Sequence, residues 1–106
     1  MTDNYTIHAK ICDDIKDLYK RKNADYGNSF GTARKVVPNY TLGKLYDKFN
    51  RYMNLTINGE NTAQVAETLD DTLMDMANYA IMELTERHID RITVSFPDEN
   101  ACISDR

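Results

Sequence analysis

Apolar residues recur at three- and four-residue steps through most of this chain. Ile7, Ile11, Cys12, Ile15, Leu18 and Tyr19 form one such series, which predicts an amphipathic helix over residues 5–22. The pattern stops at Asn23, and Asp25-Tyr26-Gly27-Asn28 follows, residue types that end a helix and form a loop. Residues 23–40 carry Gly31 and Pro38 and read as irregular or short-helical. Thr41 is placed to cap a second helix over 41–55, with Leu42, Leu45, Tyr46, Phe49, Tyr52 and Met53 as its apolar positions. Asn58-Gly59 reads as a turn. Thr62 then caps a third helix over 63–92, whose apolar face is Val65, Leu69, Leu73, Met76, Ala77, Ala80 and Leu84. At about 30 residues it is long for a globular domain. Val94-Ser95-Phe96 suits a short extended piece or helix-end packing, and residues 97–106 form a polar tail. Strand signal is weak throughout, so the expected fold is all-α: three main helices in one domain over 1–96.

A chain of 106 residues suffices for one core. It is short of material to cover both sides of so long a last helix, so homo-oligomerisation into a dimer or larger assembly is expected to complete the bundle. The net charge of −4 argues against an electrostatic grip on duplex nucleic acid or on an anionic membrane. No run approaches the length of a transmembrane helix, and the N-terminus lacks the basic and apolar regions of a signal peptide. Cys12 and Cys102 have no metal-like spacing and read as free thiols in a reducing cytoplasm. His8 and His88 read as structural or surface residues.

Three polar clusters remain. Glu67, Asp71, Asp75 and Asn78 fall within roughly 80° of one another on a helix. Stacked carboxylates repel by a few tenths of a kcal/mol per pair, so the row is either a solvated acidic face or an invitation to a hard cation such as Mg²⁺, which takes oxygen ligands. Lys44, Asp47, Lys48 and Arg51 share one side of the second helix. They form either an ordinary charged face or a grip on phosphate, Arg as a planar fork and Lys as a point charge. The segment Lys22, Asn23, Asp25, Tyr26, Gly27, Asn28, Ser29 is either a helix end with its turn or a set of contacts for a base or sugar. Tyr26 and Tyr79 also suit core or interface positions. Together the clusters make the inventory of a nucleotide site.

The blocks Lys22-Asn-Ala-Asp-Tyr-Gly-Asn-Ser-Phe30, Tyr46-Asp-Lys-Phe-Asn-Arg51 running into Asn54-Leu55, and Glu67-Thr-Leu-Asp-Asp-Thr-Leu-Met-Asp-Met-Ala-Asn-Tyr-Ala80 resemble the nucleotide modification associated domain of bacteriophages and bacteria. That domain is in turn distantly similar to all-α, MazG-like nucleoside triphosphate pyrophosphohydrolases, which hold Mg²⁺ between acids on two helices and assemble as dimers or tetramers. The resemblance implies a Mg²⁺-dependent nucleotide-binding protein of the cytoplasm, a host's cytoplasm if phage-encoded. Carried over by position, Glu67 and Asp71 stand for the acidic pair of the last helix, and Asp47 is the one acid available to represent the pair on the middle helix. There the family pattern Glu-x-x-Glu is replaced by Asp47 with Lys48 and Arg51.

If the chain is catalytic, the metal set is Asp47, Glu67 and Asp71. Asp75 orients the attacking water or takes its proton. Lys22, Lys48 and Arg51 stabilise phosphate charge, and Asn23, Asp25, Tyr26, Asn78 and Tyr79 bind the rest of the nucleotide. Products would be a monophosphate and pyrophosphate. The depleted acids of the middle helix leave a second reading open: a protein that binds, without turnover, a nucleotide used in host defence signalling.

Overall fold

A computed structural model of the chain describes residues 3–59 and 68–95. They form four helices: α1 (Asn4–Tyr26), α2 (Ser29–Val36), α3 (Tyr40–Asn58) and α4 (Leu69–Ser95). The all-α expectation holds. The polar tail, the Thr62 cap and Glu67 lie outside the described residues.

The helix limits differ from the sequence reading for local reasons. Asp3 caps α1, its side chain accepting from the Thr6 N–H at 2.8 Å, which satisfies one orphan donor of the first turn. The helix then runs past Asn23 to Tyr26, one turn beyond the expected end. It stops at Gly27, whose φ of 62° is open to glycine and strained for other residues. Its N–H closes back on the Asn23 carbonyl at 2.8 Å. The segment expected to be irregular or short-helical holds the short helix α2, packed close to the preceding turn. A Cβ at Gly31 would stand 2.7 Å from Asn28 Oδ1, so this glycine is what lets the Asn28 side chain fold over the helix.

Thr41 does not cap α3. Asn39 holds that position in the left-handed conformation, φ 56°, and Thr41 is buried one residue inside the helix. Thr68 caps α4, which begins at Leu69; the expected start at Ala63 lies outside the described residues. The Thr68 hydroxyl accepts from the Asp71 N–H at 3.0 Å, and the Asp71 carboxylate accepts from the Thr68 N–H at 3.2 Å, a reciprocal capping box. Asp70 and Asp71 occupy the first turn, where the helix dipole favours negative charge.

α3 packs along α4, α1 crosses α4, and α2 touches α3. Among the described residues the buried apolar side chains are Ile15, Phe30 and Leu55, whereas Thr41, Thr72, Asn78 and Glu86 are buried polar ones. α4 thus turns a largely polar side inward. Of the face expected to be buried, Leu73, Ala80 and Leu84 are exposed, whereas Leu69, Met76 and Ala77 are partly buried. On α3 likewise, Leu42, Tyr46, Phe49 and Met53 face solvent, while Leu45, Tyr52 and Leu55 are at least half-buried.

An ion-pair network ties α2 to the two long helices. The Arg34 guanidinium donates from Nε to Glu83 Oε1 at 2.8 Å and through its second terminal nitrogen to Oε2 at 2.9 Å. A third bond reaches Asp90 Oδ2 at 2.9 Å. Thr41 Oγ1 donates to Glu83 Oε1 at 2.7 Å, and Arg87 Nε donates to Oε2 at 2.8 Å. With four donors converging on it, the Glu83 carboxyl is held down at about 2, Arg34 being the main cause.

Candidate functional site

Where α1, α2, α3 and α4 converge, a cavity of about 180 Å³ opens. The end of α1 supplies Tyr19, Lys22 and Asn23; the turn and α2 supply Gly27, Asn28, Ser29 and Phe30; α3 supplies Tyr40; α4 supplies Asp75, Asn78, Tyr79 and Met82. The extra turn of α1 is what brings Asn23 here, and the short α2 presents Phe30.

Three aromatic rings sit together in this wall. Phe30 meets Tyr40 edge-on with centroids 5.7 Å apart, and lies 6.2 Å from Tyr79 at a tilt of 30°. Such pairs interact favourably beyond their burial. Asn78 is only 7% exposed and lines the cavity. A buried amide carries two donors and an acceptor that a cavity's occupant can satisfy.

Charge gathers on the α4 wall. Lys48 Nζ lies 3.1 Å from Asp75 Oδ2, and Lys22 Nζ lies 3.8 Å from Asp75 Oδ1. A carboxylate from α4 therefore stands between lysines from α1 and α3. The Lys48 and Asp75 side chains are 22% and 20% exposed, so their attraction is screened less than at an open surface. Arg51 follows three residues after Lys48, half-buried, with its Nε out of contact with solvent.

On the other side of Asp75 lies a wider groove of about 570 Å³ between α1 and α4, lined by Asp14, Asp17, Leu18, Arg21, Asp71, Met74 and Asp75. Two of its acids have lysine partners: Asp14 pairs with Lys10 at 2.6 Å, and Asp75 with Lys48. Asp71 also accepts its cap bond. Among the described residues no three His, Cys, Asp or Glu side chains are grouped so as to hold one metal ion.

The residues singled out from sequence separate as follows. Lys22, Asn23, Asp75, Asn78 and Tyr79 share the cavity, and Lys48 reaches it through Asp75. Asp25 is exposed and outside the lining, and Tyr26 ends α1. Asp71 opens onto the acidic groove, whereas Asp47 is exposed beside Val37, Pro38, Asn39 and Tyr40 in a different hollow. Sequence reasoning missed Phe30, Tyr40, Asp14 and Asp17. The two acids had a readable signal, an i, i+3 spacing that puts both on one helix face. The two aromatics had none, because their meeting depends on how α2 folds back.

The family model of nucleotide modification associated domain 1 matches residues 22–86. The chain belongs to that family. The match begins at Lys22 and takes in every cavity residue but Tyr19. No curated protein and no solved structure matches the chain.

Proposed function

We propose that this protein binds a nucleotide, with the base in the aromatic cavity and the phosphates directed toward Lys22 and Lys48. The observation that carries the reading is the convergence of residues from four separate helices on one small cavity with a buried amide. Flat aromatic walls stack on any base, at about 1–3 kcal/mol per base. The Asn78 amide matches the paired donor and acceptor on a base edge. The lysines supply point charges for phosphate oxygens, and the family name associates the domain with nucleotide modification. The cavity's size suits one base rather than an oligonucleotide.

Binding without turnover is the reading we adopt. Asp75, the candidate catalytic carboxylate, has one oxygen facing Lys22 and the other facing Lys48, the positions from which it would have to hold an attacking water. The pyrophosphohydrolase reading retains one observation: Asp75 lines the acidic groove as well as the cavity. Asp71 and Asp75 line one groove and Asp47 another hollow, so the expected set of Asp47, Glu67 and Asp71 is not gathered at one point among the described residues. Sequestration of a signalling nucleotide is the form of binding that needs no such set.

Titration calorimetry against nucleoside mono-, di- and triphosphates and cyclic nucleotides, with and without Mg²⁺, tests the proposal. Asn78→Ala is expected to weaken the tightest ligand about tenfold or more, as for a bond of about 1–2 kcal/mol. Absence of binding across the panel, or unchanged affinity in Asn78→Ala with helicity intact, would overturn it. Release of monophosphate and pyrophosphate would shift the reading to hydrolysis.

A further inference from the structure

α3 carries an apolar stripe that no other described element covers. Leu42, Tyr46, Phe49, Met53 and Ile57 are 65%, 62%, 48%, 39% and 73% exposed. At 100° per residue these five lie within roughly 80° of each other, on the side turned away from the buried positions Thr41 and Leu55. The stripe is continuous over about 22 Å of helix and holds no charged residue. Side chains of this size present on the order of 200 Å² each in full, so the observed fractions leave roughly 500–600 Å² of apolar surface. That is the top of the range for a monomer's largest patch. Two such stripes together approach the roughly 1,200 Å² at which specific interfaces begin, before any rim is counted.

The spacing identifies the occupant. Leu42 and Ile57 are equidistant from the stripe's centre, as are Tyr46 and Met53, and Phe49 lies half a residue from that centre. Turned end for end, the stripe presents an aliphatic residue wherever it had one at the ends, and a large side chain wherever it had one inside. Self-complementarity under a two-fold rotation is the property an isologous interface requires. One flank is Gly43, Asn50 and Asn54, small or uncharged residues that let two helices approach without opposing like charges. Asp47 is the sole charged neighbour on that side.

We infer that two copies of this chain pair antiparallel through α3, Leu42 meeting Ile57, Tyr46 meeting Met53, and Phe49 meeting its counterpart at the two-fold axis. This pairing is independent of the nucleotide reading. The packed face of α3, which carries Lys48 beside α4, is left untouched, so each copy keeps its own cavity.

Sedimentation and light scattering of the full chain at micromolar concentration should give twice the 12.2 kDa protomer mass. Phe49→Asp should return the protomer mass with helical content unchanged, whereas Leu84→Asp, on the exposed side of α4, should leave the dimer intact. If Phe49→Asp fails to fold, a cysteine cross-link decides. In a Cys12→Ser, Cys102→Ser background, Phe49→Cys should form a disulfide-linked dimer under mild oxidant, and Leu84→Cys should not. A native protein of protomer mass throughout, a dimer that survives Phe49→Asp, or cross-linking at position 84 but not at 49 would overturn the inference.

Discussion

Neutralising Glu83 tests the ion-pair network that holds α2 against α3 and α4. The Glu83 carboxyl titrates at about 2 in the folded protein against an ordinary value of 4.5. That gap corresponds to roughly 3 kcal/mol at 1.36 kcal/mol per pH unit. Its side chain keeps some solvent contact and Arg34 retains Asp90 as a second partner, so about 1.5–3 kcal/mol is the expected effect. The folded-state value is depressed, so the stabilisation is fully present above about pH 4.5 and is lost as pH falls toward about 2. Glu83→Gln keeps the shape and the bond from Thr41 but has no charge to lose. Urea unfolding followed by circular dichroism at a series of pH values between neutrality and 2 should show two things. At neutral pH the variant should be less stable by the stated amount, and between pH 4.5 and 2 its stability should fall less steeply than that of the native protein. Equal acid slopes, or a neutral-pH difference within about 0.5 kcal/mol, would refute the reasoning.

Asp75→Asn removes the negative charge between Lys22 and Lys48 and should tighten inorganic pyrophosphate binding several-fold by calorimetry; weaker binding would mean that the carboxylate serves the ligand. Gly27→Ala, at a positive φ, should cost about 1–2 kcal/mol in thermal or urea unfolding. Thr68→Ala removes one half of the α4 capping box and should cost about 1 kcal/mol, with hydrogen exchange rising in the first turn of α4.

Helical periodicity sufficed for the all-α class, because a chain of three- and four-residue apolar steps with weak strand signal has few other options. It failed at helix limits where one residue decides. Nothing in the periodicity marks Thr68 as the cap of α4; its reciprocal bond with Asp71 does. It failed more deeply on facing. α4 has leucines on one side and Thr72, Asp75, Asn78 and Glu86 on another, and the usual expectation puts the leucines inside. Here the polar side faces in, since it carries the cavity residues and the partners of Arg34, Thr41 and Lys48. The candidate site was legible to the same extent. Lys22, Asn23, Asp75, Asn78 and Tyr79 lie within blocks of polar residues that stand out from their surroundings. Phe30 and Tyr40 look like any core aromatics, and Asp47 was drawn toward the acidic stripe by analogy when its helix register sends it elsewhere.

The inward polar seam of α4 also sets how the fold responds to its surroundings. This seam offers the Asn78 amide and the Asp75 carboxylate, set between two lysines, to whatever occupies the cavity. Any occupant that binds only the folded chain stabilises it by mass action, by about 2.7 kcal/mol at a concentration one hundred times its dissociation constant. In a domain of this size that is a rise of roughly 10–20 °C in melting temperature. The seam therefore turns heat resistance into a reporter of occupancy, and a melting curve recorded across a chemical library would reveal the cavity's ligand before any activity is known.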